Sequence, residues 1–125
     1  MPKFLVRKLI RDKFADLDHW QGIRVLSKSE FTHELKRKLV EEAEEVMAAA
    51  TLEEVLEELA DAQDIIEALA KNLGFSKTDI SEAQANKQQK RGGFERRVFA
   101  EIIDLKDEDR LVAHCRSQPH KYQEI

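Results

Sequence analysis

The chain has 125 residues and a formal net charge of −4, which fits one domain of ordinary size built around a single hydrophobic core. Apolar residues make up 42% and charged residues 37%, with four Gly and two Pro, so helices with solvated outer faces are expected. Six Phe, one Tyr and one Trp are too few to favour a strand-rich fold, and a single cysteine, Cys115, excludes an internal disulfide.

No apolar run approaches the roughly 20 residues that span a bilayer. The opening stretch MPKFLVRKLIRDKF has neither an apolar h-region nor a small-residue cleavage site. A cytoplasmic protein with no membrane partner is therefore expected.

Residues 9–19 are expected to form a short helix, followed by irregular chain over 20–27. Ser27-Lys28-Ser29-Glu30 reads as a capping box that opens an apolar-periodic helix over about 28–50. Thr51-Leu52-Glu53-Glu54 reads as a second, opening a helix over about 52–73 that Gly74 closes. A third periodic segment, about 77–91, starts at Ser76 and stops at Gly92-Gly93. The stretch FERRVFAEIID, residues 94–104, is the one candidate strand, and the tail from Lys106 holds a further short helix. No internal repeat, low-complexity tract or linker marks a boundary, so residues 1–125 read as a single domain. The expected fold is all-α, an antiparallel helical bundle with one short strand after residue 93.

Charge is unevenly placed. Residues 1–28 carry seven Lys/Arg against three acids, and so do residues 71–97, whereas 41–67 hold eleven acids and no base. A solvated helical face is the plain account of such a run. It leaves unexplained why no Lys sits within the run at i+4 to stabilise those acids.

A helical wheel at about 100° per residue sharpens the point. With Leu35 at zero, Phe31, Leu39 and Val46 define the buried face, and Glu42 falls about 20° from its centre. Glu45 and Glu41 follow at the rim, with Lys38 between Glu42 and Glu45. On the next helix, with Val55 at zero, the apolar stripe is Leu59, Ala62, Ile66, Leu69 and Leu73. Glu58 lies at its edge, Asp61 at the rim and Asp64 toward water. Each helix thus carries an acid pair at i, i+3: Glu42/Glu45 and Glu58/Asp61.

A short turn at 50–52 folds the two helices back antiparallel, so that the four carboxylates converge. Carboxylates placed together in a core protonate, pair with cations or bind metal. Lys38 alone is too little for four acids. Oxygen ligands favour Mg²⁺, Mn²⁺ or Ca²⁺; no His follows these acids at the Glu-x-x-His spacing, which argues against a di-iron bundle, and no EF-hand loop is present. Two pairs, each phased toward its own apolar stripe, favour metal over acids that merely border a core.

Glu41-Glu42-x-x-Glu45, twelve residues, then Glu58-x-x-Asp61 resembles the signature of the MazG-type all-α nucleotide pyrophosphohydrolase superfamily. That superfamily includes MazG, the dimeric dUTPases and phosphoribosyl-ATP pyrophosphohydrolase, and Lys38 also resembles the last of these. Lys8-Leu9-Ile10-Arg11-Asp12-Lys13 and Lys90-Arg91-Gly92-Gly93-Phe94-Glu95-Arg96-Arg97 look like a single-domain, phosphoribosyl-ATP-pyrophosphohydrolase-like subgroup. The resemblance covers about residues 5–104. Phe14 departs from it, standing where a Pro-containing continuation is the pattern.

The resemblance implies Mg²⁺ held by Glu42, Glu45, Glu58 and Asp61, cleavage of the α–β phosphoanhydride of a nucleotide, and assembly as a homodimer or homotetramer. Such a cleavage asks mainly for charge neutralisation and an aligned water. Glu41 is the candidate to orient or deprotonate that water, with Lys38 beside it. Lys8, Arg11, Lys13, Lys87, Lys90 and Arg91 are candidates to grip phosphate oxygens; ordinary charge balance against the acidic middle is the competing account. Val40, Ala43 and Met47 widen the apolar face beyond one partner helix, which also suggests self-association. Trp20 is expected to plug an end of the bundle, and His33, His114, Cys115 and His120 form no regular metal pattern.

The expected activity is Mg²⁺-dependent hydrolysis of a nucleoside triphosphate to a monophosphate and pyrophosphate, serving nucleotide house-cleaning, with Mn²⁺ as a second metal. Phosphoribosyl-ATP is the alternative substrate, and a non-catalytic, oligomeric helical interaction module is the rival from another class. A nucleic-acid partner is not expected, because the basic stretches are short and lack interleaved aromatics.

Overall fold

The structure is a computed structural model and describes residues 2–125. Its elements are α1 (Asp12–Ala15), α2 (Lys28–Ala48), α3 (Leu52–Asn72), α4 (Lys77–Arg91) and α5 (Arg110–Arg116). The described residues fall into two compact units, one running to Lys90 and the other covering Arg91–Ile125.

In the first unit α2 and α3 pack on each other. Ser27 opens α2 with a full capping box: its hydroxyl accepts from the Glu30 amide and the Glu30 carboxylate accepts from the Ser27 amide. At α3 the Thr51 hydroxyl accepts from the Glu54 amide, but the Glu54 carboxylate accepts from Ala50, one residue earlier than a capping box requires. Both exchanges quench orphan amides of the first helical turn. Ala49, Ala50 and Thr51 alone separate the helices, so the chain must reverse. Asn72, at the end of α3, donates to the Thr32 hydroxyl at 2.6 Å and to the Lys28 carbonyl at 3.2 Å, in the first turns of α2. The pair is therefore antiparallel.

The buried apolar residues are Leu35, Ile65 and Ala70. Leu35 holds the position expected of it. On α3 the packed face differs: Ile65 is buried, while Leu59, Ile66 and Leu73 are 51%, 42% and 44% exposed. The apolar arc of α3 is wider than one partner helix can cover. Its edge bearing Glu58 and Ile65 meets α2, and the opposite edge is left in solvent.

Gly74 takes φ +85° after α3, a left-handed value that ends the helix at little steric cost. Ser76 and Asp79 then exchange amide bonds at 2.8 and 3.0 Å and start α4, whose residues are all exposed. α1 is a single turn, far shorter than the expected 9–19. Asp16 and Asp18 favour turns over helix interiors, and the Trp20 indole donates to the Phe14 carbonyl at 2.6 Å in place of a further helical bond.

In the second unit, Asp109 caps α5 and Arg116 grips the Glu124 carboxylate through two bonds, at 2.7 and 3.1 Å. Among the described residues there is no strand, so the one expected over 94–104 is absent. A strand needs a ladder partner, and this chain offers no second candidate. The stretch instead turns at Phe94–Arg97, with Arg97 at φ 58°, and leaves Val98, Phe99, Ile102 and Ile103 exposed. No helix among the described residues is long and apolar enough to cross a membrane.

Leu35, 4% exposed, is the main apolar contact of the α2 side of the hairpin. Leu35→Ala should cost about 2–4 kcal/mol in urea unfolding, from lost transfer energy and the cavity left behind. A change below about 0.5 kcal/mol, the range of ordinary surface substitutions, would mean that this hairpin is not the folding core.

Candidate metal centre

The hairpin that buries Leu35 and Ile65 also fixes the acids. One turn of helix separates Glu42 from Glu45 on α2 and Glu58 from Asp61 on α3, so each pair shares a helix edge. Antiparallel packing lays the two edges against each other. Glu42, Glu58 and Asp61 each place a carboxylate oxygen within 4.8 Å of the other two. Opposite ligands of a six-coordinate Mg²⁺ stand about 4.2 Å apart and those of Ca²⁺ about 5 Å. The trio is thus close to the dimensions of a hard-cation site.

Burial supplies an independent sign. Glu42 is 5% exposed, as buried as the core leucine, and its Oε2 has no hydrogen-bond partner. Glu58, half-buried, also leaves its Oε2 unpartnered. A buried carboxylate oxygen without a donor costs free energy unless a proton or a cation answers it. Desolvation first, then the contacts with Glu58 and Glu45, push the Glu42 carboxyl from its ordinary 4.5 up to about 8. Glu58 is raised too. Its contact with Glu42 acts the other way, but is outweighed by the Glu45 contact, burial and the charges of Glu45 and Asp61. The donor set is all oxygen, preorganised and electron-rich, which fits a divalent hard cation.

Glu45 reaches both Glu42 and Glu58 but is exposed and stands outside the tight trio. Glu41 lies on the flank, where Lys8 approaches its Oε1 at 3.4 Å. Lys38 is half-buried one turn earlier, and with Lys8 and Glu41 it borders a cavity of about 340 Å³ between α2 and the N-terminal segment. Arg7 and Arg37 complete the basic lining of that cavity. Neither stood out in the sequence. Arg7 sits at φ 44°, an uncommon value for a non-glycine residue, and such strain leaves no mark on the sequence.

Arg11 does not stand free for phosphate. Its guanidinium donates to Asp61 Oδ1 at 2.6 Å and to Asp64 Oδ2 at 3.0 Å. Asp64 is exposed, as the wheel expects, yet it is an ion-pair partner. Half of the signal was present, since Asp61 and Asp64 are themselves an i, i+3 pair that one planar guanidinium can bridge, but nothing in the spacing names Arg11 as that partner. Lys13 is exposed on α1, and Lys87 and Lys90 are exposed on α4, with no ion pair to the carboxylates among the described residues. Arg91 ends α4 and opens the second unit. Trp20 packs on His19 and closes the turn after α1.

Comparison with family models, with curated proteins and with solved structures finds no match to this chain.

The raised Glu42 carboxyl sets a sign for stability against pH. Between about 4.5 and 8 the unfolded chain ionises Glu42 while the folded chain retains its proton, so the folded state binds more protons. Stability of the metal-free protein should therefore fall as pH rises through that window, and Glu42→Gln should remove most of the slope. Glu30, held below its ordinary range first by Arg24 and then by Ser27, acts in the opposite sense and only at lower pH. Thermal unfolding in a chelating buffer from pH 5 to 8.5 tests this. An equal slope in both proteins would show that Glu42 is not the group responsible.

Proposed function

We propose that the chain is a magnesium-dependent nucleotide pyrophosphohydrolase that cleaves a nucleoside triphosphate to a monophosphate and pyrophosphate. One observation carries the reading: a carboxylate buried at 5% exposure, with an unpartnered oxygen, faced by Glu58 and Asp61 across the helix seam. The acidic signature supports the choice of substrate through its resemblance to the MazG-type superfamily. Nucleotide house-cleaning is the proposed role, in the cytoplasm, with Mn²⁺ able to replace Mg²⁺ and phosphoribosyl-ATP as the alternative substrate.

In this reading Glu42, Glu58 and Asp61 would hold the metal, with Glu45 as a fourth ligand. When bound, the ion supplies positive charge to the phosphates and acidifies the attacking water. Glu41, half-exposed and kept in place by Lys8, orients that water and takes its proton. Lys38 and Lys8, on the adjoining cavity, receive the negative charge that gathers on the leaving pyrophosphate. Val40, Met47, Leu52 and Leu56, 60–89% exposed on the hairpin, support assembly as a homodimer or homotetramer.

Mg²⁺ at millimolar concentration should raise the melting temperature, since it binds only the folded state, and Glu58→Gln should abolish most of the gain. Unchanged melting curves in both proteins would end the metal reading. Across a nucleotide panel, Glu42→Ala and Asp61→Ala should each lose at least about a hundredfold in turnover. Glu57→Ala, on the outer face of α3, should be nearly silent.

Bond position separates this activity from removal of a terminal phosphate. Hydrolysis in ¹⁸O-labelled water should place the label in the nucleoside monophosphate. Label in pyrophosphate, or release of orthophosphate, would overturn the α-phosphorus assignment. Metal binding with no turnover of any nucleotide would favour the helical interaction module.

A further inference from the structure

We propose that Arg11 is a resident counter-cation of the carboxylate cluster, competing with the metal for Asp61 and held ready by Asp64. The inference rests on the metal reading above and concerns what fills the cluster's outer edge before an ion enters.

Of the three clustered carboxylates, Glu42 and Glu58 each have an unpartnered oxygen, whereas Asp61 has a cation on it, at 2.6 Å. A divalent ion seated among the three would lie next to the guanidinium that Asp61 already binds. Two cations drawing on one carboxylate repel each other at contact distance, an effect tempered but not removed by the partial exposure of Arg11 and Asp61, 52% and 38%. One of them loosens its hold.

Arg11 is the one able to move. Its side chain is 52% exposed, it precedes α1 in irregular chain, and its second bond at 3.0 Å goes to Asp64, which lies one turn beyond Asp61 and outside the trio. Swinging outward on Asp64 keeps one charge-assisted bond and vacates Asp61. Asp64 thus explains how the cation can leave the site without leaving the helix. Lys8 is on Glu41 and Lys38 stands one turn before Glu42, and among the described residues neither forms an ion pair with any of the three.

The opposite sign is a real alternative. If Arg11 only orients Asp61, as a charged neighbour often orients a metal ligand, its loss should weaken metal binding. Titration of the full chain with Mn²⁺, following the free ion by its electron paramagnetic resonance signal at fixed pH and low salt, separates the two. Arg11→Ala and Arg11→Gln should each bind Mn²⁺ about three- to tenfold more tightly than wild type, as expected when one nearby positive charge is lost. Arg24→Ala, which removes the same charge beside Glu30 at the start of α2, should leave the affinity unchanged. Equal or weaker binding in both Arg11 variants would overturn the competition, as would equal tightening in Arg24→Ala. Wild-type protein that binds no Mn²⁺ would overturn the metal reading itself, a result distinct from either.

Discussion

The seam between α2 and α3 has to accommodate a carboxylate. Glu42 sits seven residues after Leu35, two helical turns along the same stripe, so any rotation of α2 that buries Leu35 also buries Glu42. The helix cannot satisfy one without confronting the other. The opposite helix answers with two more acids, Glu58 and Asp61, instead of a base. Local charge balance alone would place Lys or Arg there, because a buried charge without a partner costs several kcal/mol. The hairpin thus gathers carboxylates that are met by cations only at its rims and from outside it, Arg11 at Asp61 and Lys8 at Glu41.

That constraint accounts for how α3 packs. Its apolar arc runs from Ile65 round to Leu59 and Leu73, and a partner helix covers only part of such an arc. The covered part contains Glu58. The more apolar edge, with Leu59, Ile66 and Leu73, stays half-exposed. Burial of apolar area alone would turn α3 the other way, since each half-exposed leucine forfeits about half of the roughly 1.5–3 kcal/mol that full burial supplies.

Much of this was legible in the sequence, for local reasons. Ser27 with Glu30, Thr51 with Glu54, and Gly74 are bonds or dihedral preferences within a few residues, and both long helices start and stop within two residues of where those signals place them. Glu42 and Leu35 share a helix, so their common face follows from periodicity alone. What the sequence hid depends on distant partners. The rotation of α3 requires knowing which half of its arc α2 takes. The pairing of Arg11 with Asp61 and Asp64 spans fifty residues, and no spacing rule predicts where an irregular N-terminal segment will lie. Residues 94–104 have strand-like composition, but propensity yields no strand without a neighbour to complete the ladder.

The basic residues show the same division between local and distant causes. Read along the chain, Lys8, Arg11 and Lys13 form one cluster. In space they separate: Lys8 goes to Glu41, Arg11 to the Asp61/Asp64 fork, and Lys13 to solvent. Two of the three are spent on the two rims of the acidic seam, one on each helix, and tie the N-terminal segment across it. All three ion pairs are partly exposed, so each contributes little to stability, on the order of 0–1 kcal/mol. Weak ties suit this position better than strong ones. A segment fastened by buried salt bridges would be costly to displace, whereas one held by exposed pairs exchanges its partners readily with competing charges.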